Sequence, residues 1–193
     1  MTKTLISTIL LYSITIVGCS SNITAIDYES CYFPNTSVKA PVWVCDEPIE
    51  GLTLQATGVA EQSGAGVDFM KTIATASAKD RLAQSFESEV QSLVKIFLGT
   101  TGRTEQETVD ATQEVIQRQF TKQRLQGIKI QKSLQGPDKR MYVLVGLSEE
   151  SFKTNAKKLI NSSFNSDSAE WQRIQADKGF KQLGEAIDNY ESN

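Results

Sequence analysis

The stretch Met141-Tyr142-Val143-Leu144-Val145-Gly146-Leu147 decides the fold, because it is apolar on both faces of a β-strand. Successive side chains of a strand point to opposite faces of its sheet, and a strand with one solvated face has polar residues at every second position. Here every position from 141 to 145 is apolar. We therefore predict that this strand lies in the middle of a sheet.

The segment before this strand is predicted to be its hairpin partner. Ile128 and Ile130 alternate with Lys129 and Gln131, which predicts that the isoleucines face inward and the polar residues outward. The sequence Gly-Pro-Asp-Lys at 136–139 contains the residues that favour a turn. A further strand is predicted over residues 52–60, where apolar and polar residues again alternate.

A long amphipathic helix is predicted between these strands. Asp68 is predicted to cap it, and Gly99 and Gly102 to end it. Its apolar residues recur at intervals of three and four through about eight turns. The residues predicted to face inward are Met70, Ile73, Ala74, Ala78, Leu82, Phe86, Val90, Leu93 and Phe97.

Three shorter helices are also predicted. One begins at Thr104, and Ser148 caps the next, whose apolar residues are spaced to face inward. A polar segment at 161–166 is predicted to separate that helix from a last amphipathic one. The order β-α-α-β-β-α plus a C-terminal helix predicts an α+β fold, in which a small antiparallel sheet of about three strands has its helices on one face.

The composition argues against an enzyme and against nucleic-acid binding. The chain contains no histidine, the commonest general base and zinc ligand, so we expect no catalytic residues, no metal and no cofactor. The net charge is −3, and the basic residues of the hairpin region are dispersed among glutamines. We interpret these basic residues as a solvated face; they are Lys122, Arg124, Lys129, Lys132, Lys139 and Arg140.

The N-terminus is typical of a secretion signal. Lys3 precedes an apolar run from Leu5 to Val17, which is too short and too rich in hydroxyl groups to span a bilayer. Its end, Ile16-Val17-Gly18-Cys19, resembles the bacterial lipobox, which implies that Cys19 is lipidated; the alternative is an ordinary secretion signal.

The predicted organisation is a signal peptide over 1–18, a lipidated tether over 19–40, an α+β domain over 41–161, and a polar linker with a C-terminal helix over 162–193.

Two further cysteines remain once Cys19 carries lipid. Cys31 and Cys45 form an even pair in a compartment that would be oxidising, so we favour a disulfide between them. The alternative is two free thiols, one of them buried beside Trp43.

In the last helix Trp171, Ile174 and Phe180 lie after a polar linker, and we predict that they form an interface with the domain itself or with a neighbouring subunit.

Several stretches together resemble a known family. They are residues 43–51 (Trp-Val-Cys-Asp-Glu-Pro-Ile-Glu-Gly), Gly58-Val59-Ala60-Glu61, the alanine-rich start of the long helix, and Tyr142-Val143-Leu144-Val145-Gly146-Leu147. In that order they resemble the twenty-kilodalton outer-membrane lipoprotein family, which includes flagellar lipoproteins that build disc or ring structures around the rod. The similarity covers about residues 40–150.

The resemblance and the lipobox together predict where the protein acts. They imply a structural, non-enzymatic lipoprotein that is anchored to the outer membrane through Cys19, on its periplasmic side. Such a protein would assemble with copies of itself, and with flagellar or other envelope proteins. The alternative is a monomeric, lipid-anchored adaptor that binds one envelope partner, such as peptidoglycan or a secretion complex.

Overall fold

The protein has an α+β fold, as predicted from the sequence. The computed structural model describes residues 30–100, 106–121, 124–164 and 179–190. In these ranges a three-stranded antiparallel sheet has the order β1-β3-β2, with four α-helices and a short 3-10 helix at Val42–Cys45. The elements are β1 Leu54–Ala60, α1 Val67–Thr100, α2 Gln106–Phe120, β2 Lys129–Gln135, β3 Met141–Leu147, α3 Glu149–Phe164 and α4 Gly179–Asp188.

The central strand is β3, as its composition predicts. All seven of its residues are buried. Met141, Val143, Val145 and Leu147 face the helices, whereas Tyr142 and Leu144 belong to a second apolar cluster on the opposite face. A strand that is apolar on both faces therefore has a cover on each side.

The contact between β1 and α1 is unusually close. Gly58 has no side chain, and a methyl group at this position would overlap the Ala74 carbonyl oxygen and the Ala78 amide nitrogen, and would lie 2.8 Å from Cβ of Ala78. Ala74 and Ala78 are fully buried one turn apart, so α1 presents a smooth surface where β1 crosses it. Small residues on both elements allow the two backbones to approach.

The two halves of the long helix pack against different parts of the core. Its 34 residues span about 51 Å, whereas a strand of seven residues spans about 23 Å. The first half of α1 therefore covers the sheet. The second half extends beyond it and packs with α2 and α4 around one cluster, which includes Val94, Phe97, Leu98, Val109, Ile116 and Leu183.

The predicted inward face of α1 is correct except at two positions. Ile73 is 44% exposed, because it lies about 100° around the helix from Ala74, which faces the sheet. Leu93 is only partly buried, and Val94 takes the inner position.

The predicted ends of α1 were wrong. Asp68 lies in the first turn of the helix instead of capping it, since α1 begins at Val67. Gly99 does not end the helix, which continues to Thr100. The cost of one helical glycine is about 1 kcal/mol, and the burial of Phe97 and Leu98 offsets it. Gly102 and the predicted start of the next helix at Thr104 lie outside the described residues.

Ile130 lies opposite Val145 on the helix face of the sheet, as predicted, but its side chain is 47% exposed and does not belong to the core. The register of β2 on β3 shifts between Ile130 and Lys132, so that Gln131 is an extra residue in a β-bulge. β2 is an edge strand, and α1 contacts β1 and β3 instead. No helix therefore covers this position of β2 within the described ranges.

The third helix begins as predicted and ends later than predicted. The Ser151 amide donates to the Ser148 hydroxyl at 3.4 Å, which is the expected N-cap. The predicted polar break at 161–166 was wrong for residues 161–164, which are helical. The hydroxyls of Ser162 and Ser163 donate to the Leu159 carbonyl at 2.8 and 2.9 Å, so the helix satisfies these polar groups internally.

The last helix packs on its own domain. Leu183 and Ile187 are buried in the main core, and Lys153 of α3 donates to the Asp188 carbonyl at the end of α4. After the helix, the Tyr190 ring stacks on Phe152 with the ring centroids 4.7 Å apart. Burial and the neighbouring Glu89 carboxylate raise the pKa of Tyr190 to about 12, so its phenol stays neutral and donates to Glu89.

The Gly58 contact gives a sharp stability prediction. Gly58→Ala should lower the free energy of unfolding by about 3 kcal/mol or more, because the added methyl meets backbone atoms that cannot rotate away. Chemical denaturation would measure this change. The control is Gly64→Ala, where nothing lies within 4 Å of the added methyl and the expected change is within about 0.5 kcal/mol. Equal effects of the two substitutions would contradict the close contact.

Candidate functional site

The N-terminal segment forms a cap on the open face of the sheet. We define the cap as residues 31–45; it contains an isolated bridge between Tyr32 and Lys39 and then the 3-10 helix. Phe33 and Trp43 are buried against the sheet, and the Phe33 ring meets the Tyr142 ring edge-on at a centroid distance of 5.5 Å. Residues 31–40 were assigned to the tether from sequence, but they pack as part of the domain.

A disulfide closes the cap. Cys31 and Cys45 are bonded, with their Cα atoms 5.9 Å apart, which confirms the pairing that the cysteine count favoured. Cys31 is buried. The bond joins the first residue of the cap to its last residue, at the end of the 3-10 helix. Neither end of the cap can therefore move away from the other while the bond is intact.

Buried hydrogen bonds attach the cap to β1. The Thr57 hydroxyl is buried and donates to the Trp43 carbonyl at 2.7 Å. The Gln55 side chain accepts from the Ile49 amide at 2.8 Å and donates to the Glu47 carbonyl, so it holds the segment that follows the cap. An apolar residue at position 57 would leave the Trp43 carbonyl of the cap without this partner, and one at position 55 would do the same to backbone groups of the following segment.

Arg81 connects the long helix to β1 and to the residue that follows the cap. Its guanidinium donates to the Thr57 carbonyl of β1 and to the Asp46 carboxylate at 3.0 Å, one residue after Cys45. The ion pair is half-exposed and contributes little energy by itself. Its position at the β1 edge satisfies a strand carbonyl there and ties three elements together.

Tyr142 joins the cap cluster to the hairpin turn. Its hydroxyl donates to the Asp138 carboxylate at 2.5 Å. Burial, with Asp138 as a second cause, raises the pKa of Tyr142 to about 12, so the phenol is neutral at physiological pH. At the same end of the sheet, the Glu61 carboxylate at the end of β1 forms an ion pair with Arg140 at 2.9 Å.

The β2 edge of the sheet carries positive charge. Register places Lys129 opposite Gly146 and Lys132 opposite Leu144, so both lysines lie on the cap face of the sheet. Both are exposed. Lysines and a bulge on an edge strand disfavour pairing with a strand of another molecule. The edge is therefore a charged surface and a poor template for sheet extension.

A polar groove lies on the helix layer, between α1 and α2. Its volume is about 430 Å³. Each helix contributes four polar residues at positions i, i+3, i+4 and i+7: Gln84, Glu87, Ser88 and Gln91 from α1, and Asp110, Gln113, Glu114 and Gln117 from α2. We call this the α1–α2 groove.

Several sequence-predicted residues lie outside what the structure describes. Cys19, the predicted lipid site, and Trp171 and Ile174, two of the predicted interface residues, are outside the described ranges. Phe180 is in α4, but its side chain is also outside them. The neighbouring apolar residues of α4 face the domain core, so the partner of that face is the domain itself.

The described residues give two further results about chemistry and membrane contact. In the described part of the chain, no three His, Cys, Asp or Glu side chains are grouped so that they could hold a metal ion. No described helix combines the length and apolar character that a membrane span requires.

Sequence reasoning missed the cap and the α1–α2 groove. The groove had a visible signal, because both helices repeat polar residues at the spacing of one helical face. The cap had a weaker one, since Phe33 and Trp43 flank the two cysteines without any periodicity.

Two comparisons, with protein-family models and with curated sequences, gave no match. The resemblance to the twenty-kilodalton outer-membrane lipoproteins therefore stays a prediction.

The disulfide gives a second stability prediction. Replacing both Cys31 and Cys45 with serine should lower the free energy of unfolding by about 3 kcal/mol, because the bond closes a loop of about fifteen residues. Thermal unfolding with and without reductant would measure the change. The variant should unfold at the same temperature in both conditions, whereas the natural chain should lose stability only when reduced. A natural chain that is indifferent to reductant would contradict a stabilising role for this bond.

Proposed function

We propose that this protein is a lipid-anchored, non-enzymatic structural protein of the bacterial outer membrane, where copies of it assemble into a scaffold such as a flagellar ring. The observation that carries the proposal is the disulfide-closed cap. A structural disulfide is typical of proteins that mature in an oxidising compartment. This fits the secretion signal and the lipobox-like sequence that ends at Cys19.

The position of the cap suits a membrane tether. Cys19 precedes Cys31 by twelve residues, a length of chain that reaches at most about 40 Å. A load on the lipid anchor would arrive first at Cys31, which is covalently bonded to Cys45. The domain would therefore resist being peeled open from its N-terminal end.

A structural role also fits the residue chemistry. The chain has no histidine, the side chain that most often transfers protons in enzymes. Of the two tyrosines whose pKa is raised to about 12, Tyr142 is buried and Tyr190 is partly buried. Each donates a hydrogen bond to a carboxylate within the fold. These features support a scaffold and offer no nucleophile–base pair.

A single-partner adaptor is the second candidate. It is favoured by three exposed apolar residues in the first turns of α1, namely Val67, Phe69 and Ile73. Exposed apolar side chains grouped on one element are typical of contact surfaces. The oligomeric state distinguishes the two candidates.

Lipid attachment can be tested by metabolic labelling. Bacteria that produce the natural chain in the presence of radiolabelled palmitate should yield a labelled protein in the outer-membrane fraction. Cys19→Ala should lose the label, because the thiol that carries the lipid is gone. The matched control, Cys31→Ser with Cys45→Ser, should keep it. Label on the Cys19→Ala protein, or none on the natural protein, would refute the lipoprotein proposal.

Assembly can be tested by light scattering. The detergent-extracted natural protein, resolved on a size-exclusion column, should elute as a multimer of defined mass. A monomer at every concentration would refute the scaffold proposal and favour the adaptor. Deletion of the gene adds a test of the flagellar role, since cells that swim normally with intact basal bodies would exclude it.

A further inference from the structure

The cap has a buried side and an outer side. Cys31 and Phe33 are buried against the sheet, and successive side chains of an extended segment point in opposite directions. Tyr32, which lies between them, therefore points away from the sheet, and so does Lys39, its partner in the isolated bridge. Both side chains are exposed on this outer side.

Apolar side chains are exposed on this side of the molecule. Three of them belong to the cap, and a fourth, on β1, lies on the cap face of the sheet because it pairs with Tyr142. Their exposed fractions lie between 37% and 50%. Exposed apolar side chains grouped on one side of a molecule are typical of a contact surface. The four residues are Tyr32, Val38, Val42 and Val59.

The same side of the molecule carries lysines. Lys39 is the single charged residue of the cap, and Lys129 and Lys132 are the two charged residues of β2, where they lie on the cap face. All three are exposed, and none forms an ion pair with a described residue. We call them the cap-face lysines. The cap and β2 contain no acidic residue, although the whole chain has a net charge of −3.

Acidic residues flank the cap and β2 without pairing with these lysines in the described structure. Asp46 forms its ion pair with Arg81, and Asp138 accepts the hydrogen bond of Tyr142. The other acidic residues that flank the cap in sequence are Asp27, Glu29, Glu47 and Glu50. The positive charge is therefore local to the outer side of the cap and the β2 edge.

Exposed apolar side chains beside lysines suit the interface of a lipid bilayer. The apolar groups can enter the boundary between headgroups and acyl chains, while the lysines bind the phosphates of anionic lipids. Each lysine close to an anionic membrane surface strengthens binding roughly fivefold. A surface of this kind therefore gains from both components of the bilayer.

The position of the lipid anchor selects the bilayer as the occupant of this surface. Cys31 is the first residue of the cap, and the twelve residues from Cys19 hold it within about 40 Å of the lipid. A surface tethered so close to a membrane meets it at high effective concentration, so a contact of modest affinity is sufficient. The helix layer lies on the opposite side of the sheet from the cap.

We propose that the outer side of the cap rests on the membrane that holds the lipid anchor, where the cap-face lysines bind the headgroups of anionic phospholipids. The proposal rests on the lipid anchor proposed above and adds the orientation of the domain. The helix layer is then directed away from the membrane. The exposed apolar residues at the start of α1, Val67, Phe69 and Ile73, would thus face protein partners.

Spin labels on two sides of the domain test this orientation. Ser37→Cys places a nitroxide on the cap, and Ala76→Cys places the matched control on the exposed side of α1 that is turned away from the sheet. Cys31 and Cys45 are bonded to each other and Cys19 would carry lipid, so the introduced thiol is the one that reacts. Electron paramagnetic resonance would measure how often each label collides with a water-soluble nickel chelate and with oxygen.

The lipidated protein would be measured in vesicles of phosphatidylethanolamine and phosphatidylglycerol. The nickel chelate should collide with the label at Ser37 several times less often than with the label at Ala76, because the membrane shields the cap from water. Oxygen concentrates in bilayers, so its collisions with the label at Ser37 should not fall. A label covered by protein, such as a second copy of the chain, would lose collisions with both reagents.

Removal of the three lysine charges should release the cap from the membrane. Replacing all three cap-face lysines with glutamine should lower the ratio of docked to undocked domains roughly 100-fold, at roughly fivefold per lysine. Nickel collisions at Ser37 should then rise to the level at Ala76. The matched control makes the same charge change on α1 and should leave nickel collisions at Ser37 unchanged; its substitutions are Lys71→Gln, Lys79→Gln and Lys95→Gln. Circular dichroism and thermal unfolding would verify that every variant is folded.

Three results would overturn the proposed orientation. They are equal nickel collision rates at the two sites of the natural protein, loss of both nickel and oxygen collisions at Ser37, and shielding of Ser37 that survives removal of the lysine charges. Palmitate labelling reports separately on the anchor. A labelled protein with any of these results would leave the anchor standing and refute the cap contact, whereas an unlabelled protein would refute the anchor and this proposal with it.

Discussion

The fold depends on the close approach of two backbones at Gly58. β1 crosses the first half of α1 where Gly58 faces Ala74 and Ala78, and no side chain fits between them. This contact fixes the distance of the long helix from the sheet. It also fixes which part of the helix lies over the strands. With that position set, the second half of α1 projects beyond the strands, where α2 and α4 pack on it. The main core and the walls of the α1–α2 groove therefore follow from a contact that only small residues permit.

The opposite face of the sheet follows from a different constraint. β3 is apolar on both sides, so the side away from the helices needs its own cover. The cap supplies it with two buried aromatic residues, a disulfide and a hydrogen bond from Thr57 to the Trp43 carbonyl. Because so short a segment buries limited apolar surface, the covalent bond compensates for a small interface. The disulfide-closed cap completes the fold, and it is also the feature that fits an envelope protein.

Sequence predicted the local features well and the tertiary ones less well. The α+β class, the element order and the central position of β3 could be predicted, because hydrophobic periodicity reports which faces are buried. The bulge at Gln131 could not, since it depends on how an edge strand aligns with its neighbour, and neither could the exposure of Ile130, which depends on which strands the helices cover. The cap also escaped prediction, because its residues have no period and their burial depends on a distant strand. For the candidate surfaces, the polar stripes were readable in each helix, but their facing arrangement required the tertiary fold.

The central claim is that one short N-terminal segment links a lipid anchor to a disulfide-closed cap. Intact mass spectrometry of the protein, extracted with detergent from bacterial membranes under non-reducing conditions, tests both ends at once. The result expected is a chain that begins at residue 19, carries acyl chains, and has the mass of a protein with its other two cysteines oxidised. Fragment ions should place the lipid on Cys19. An unacylated chain, or one with free thiols at Cys31 and Cys45, would contradict the claim.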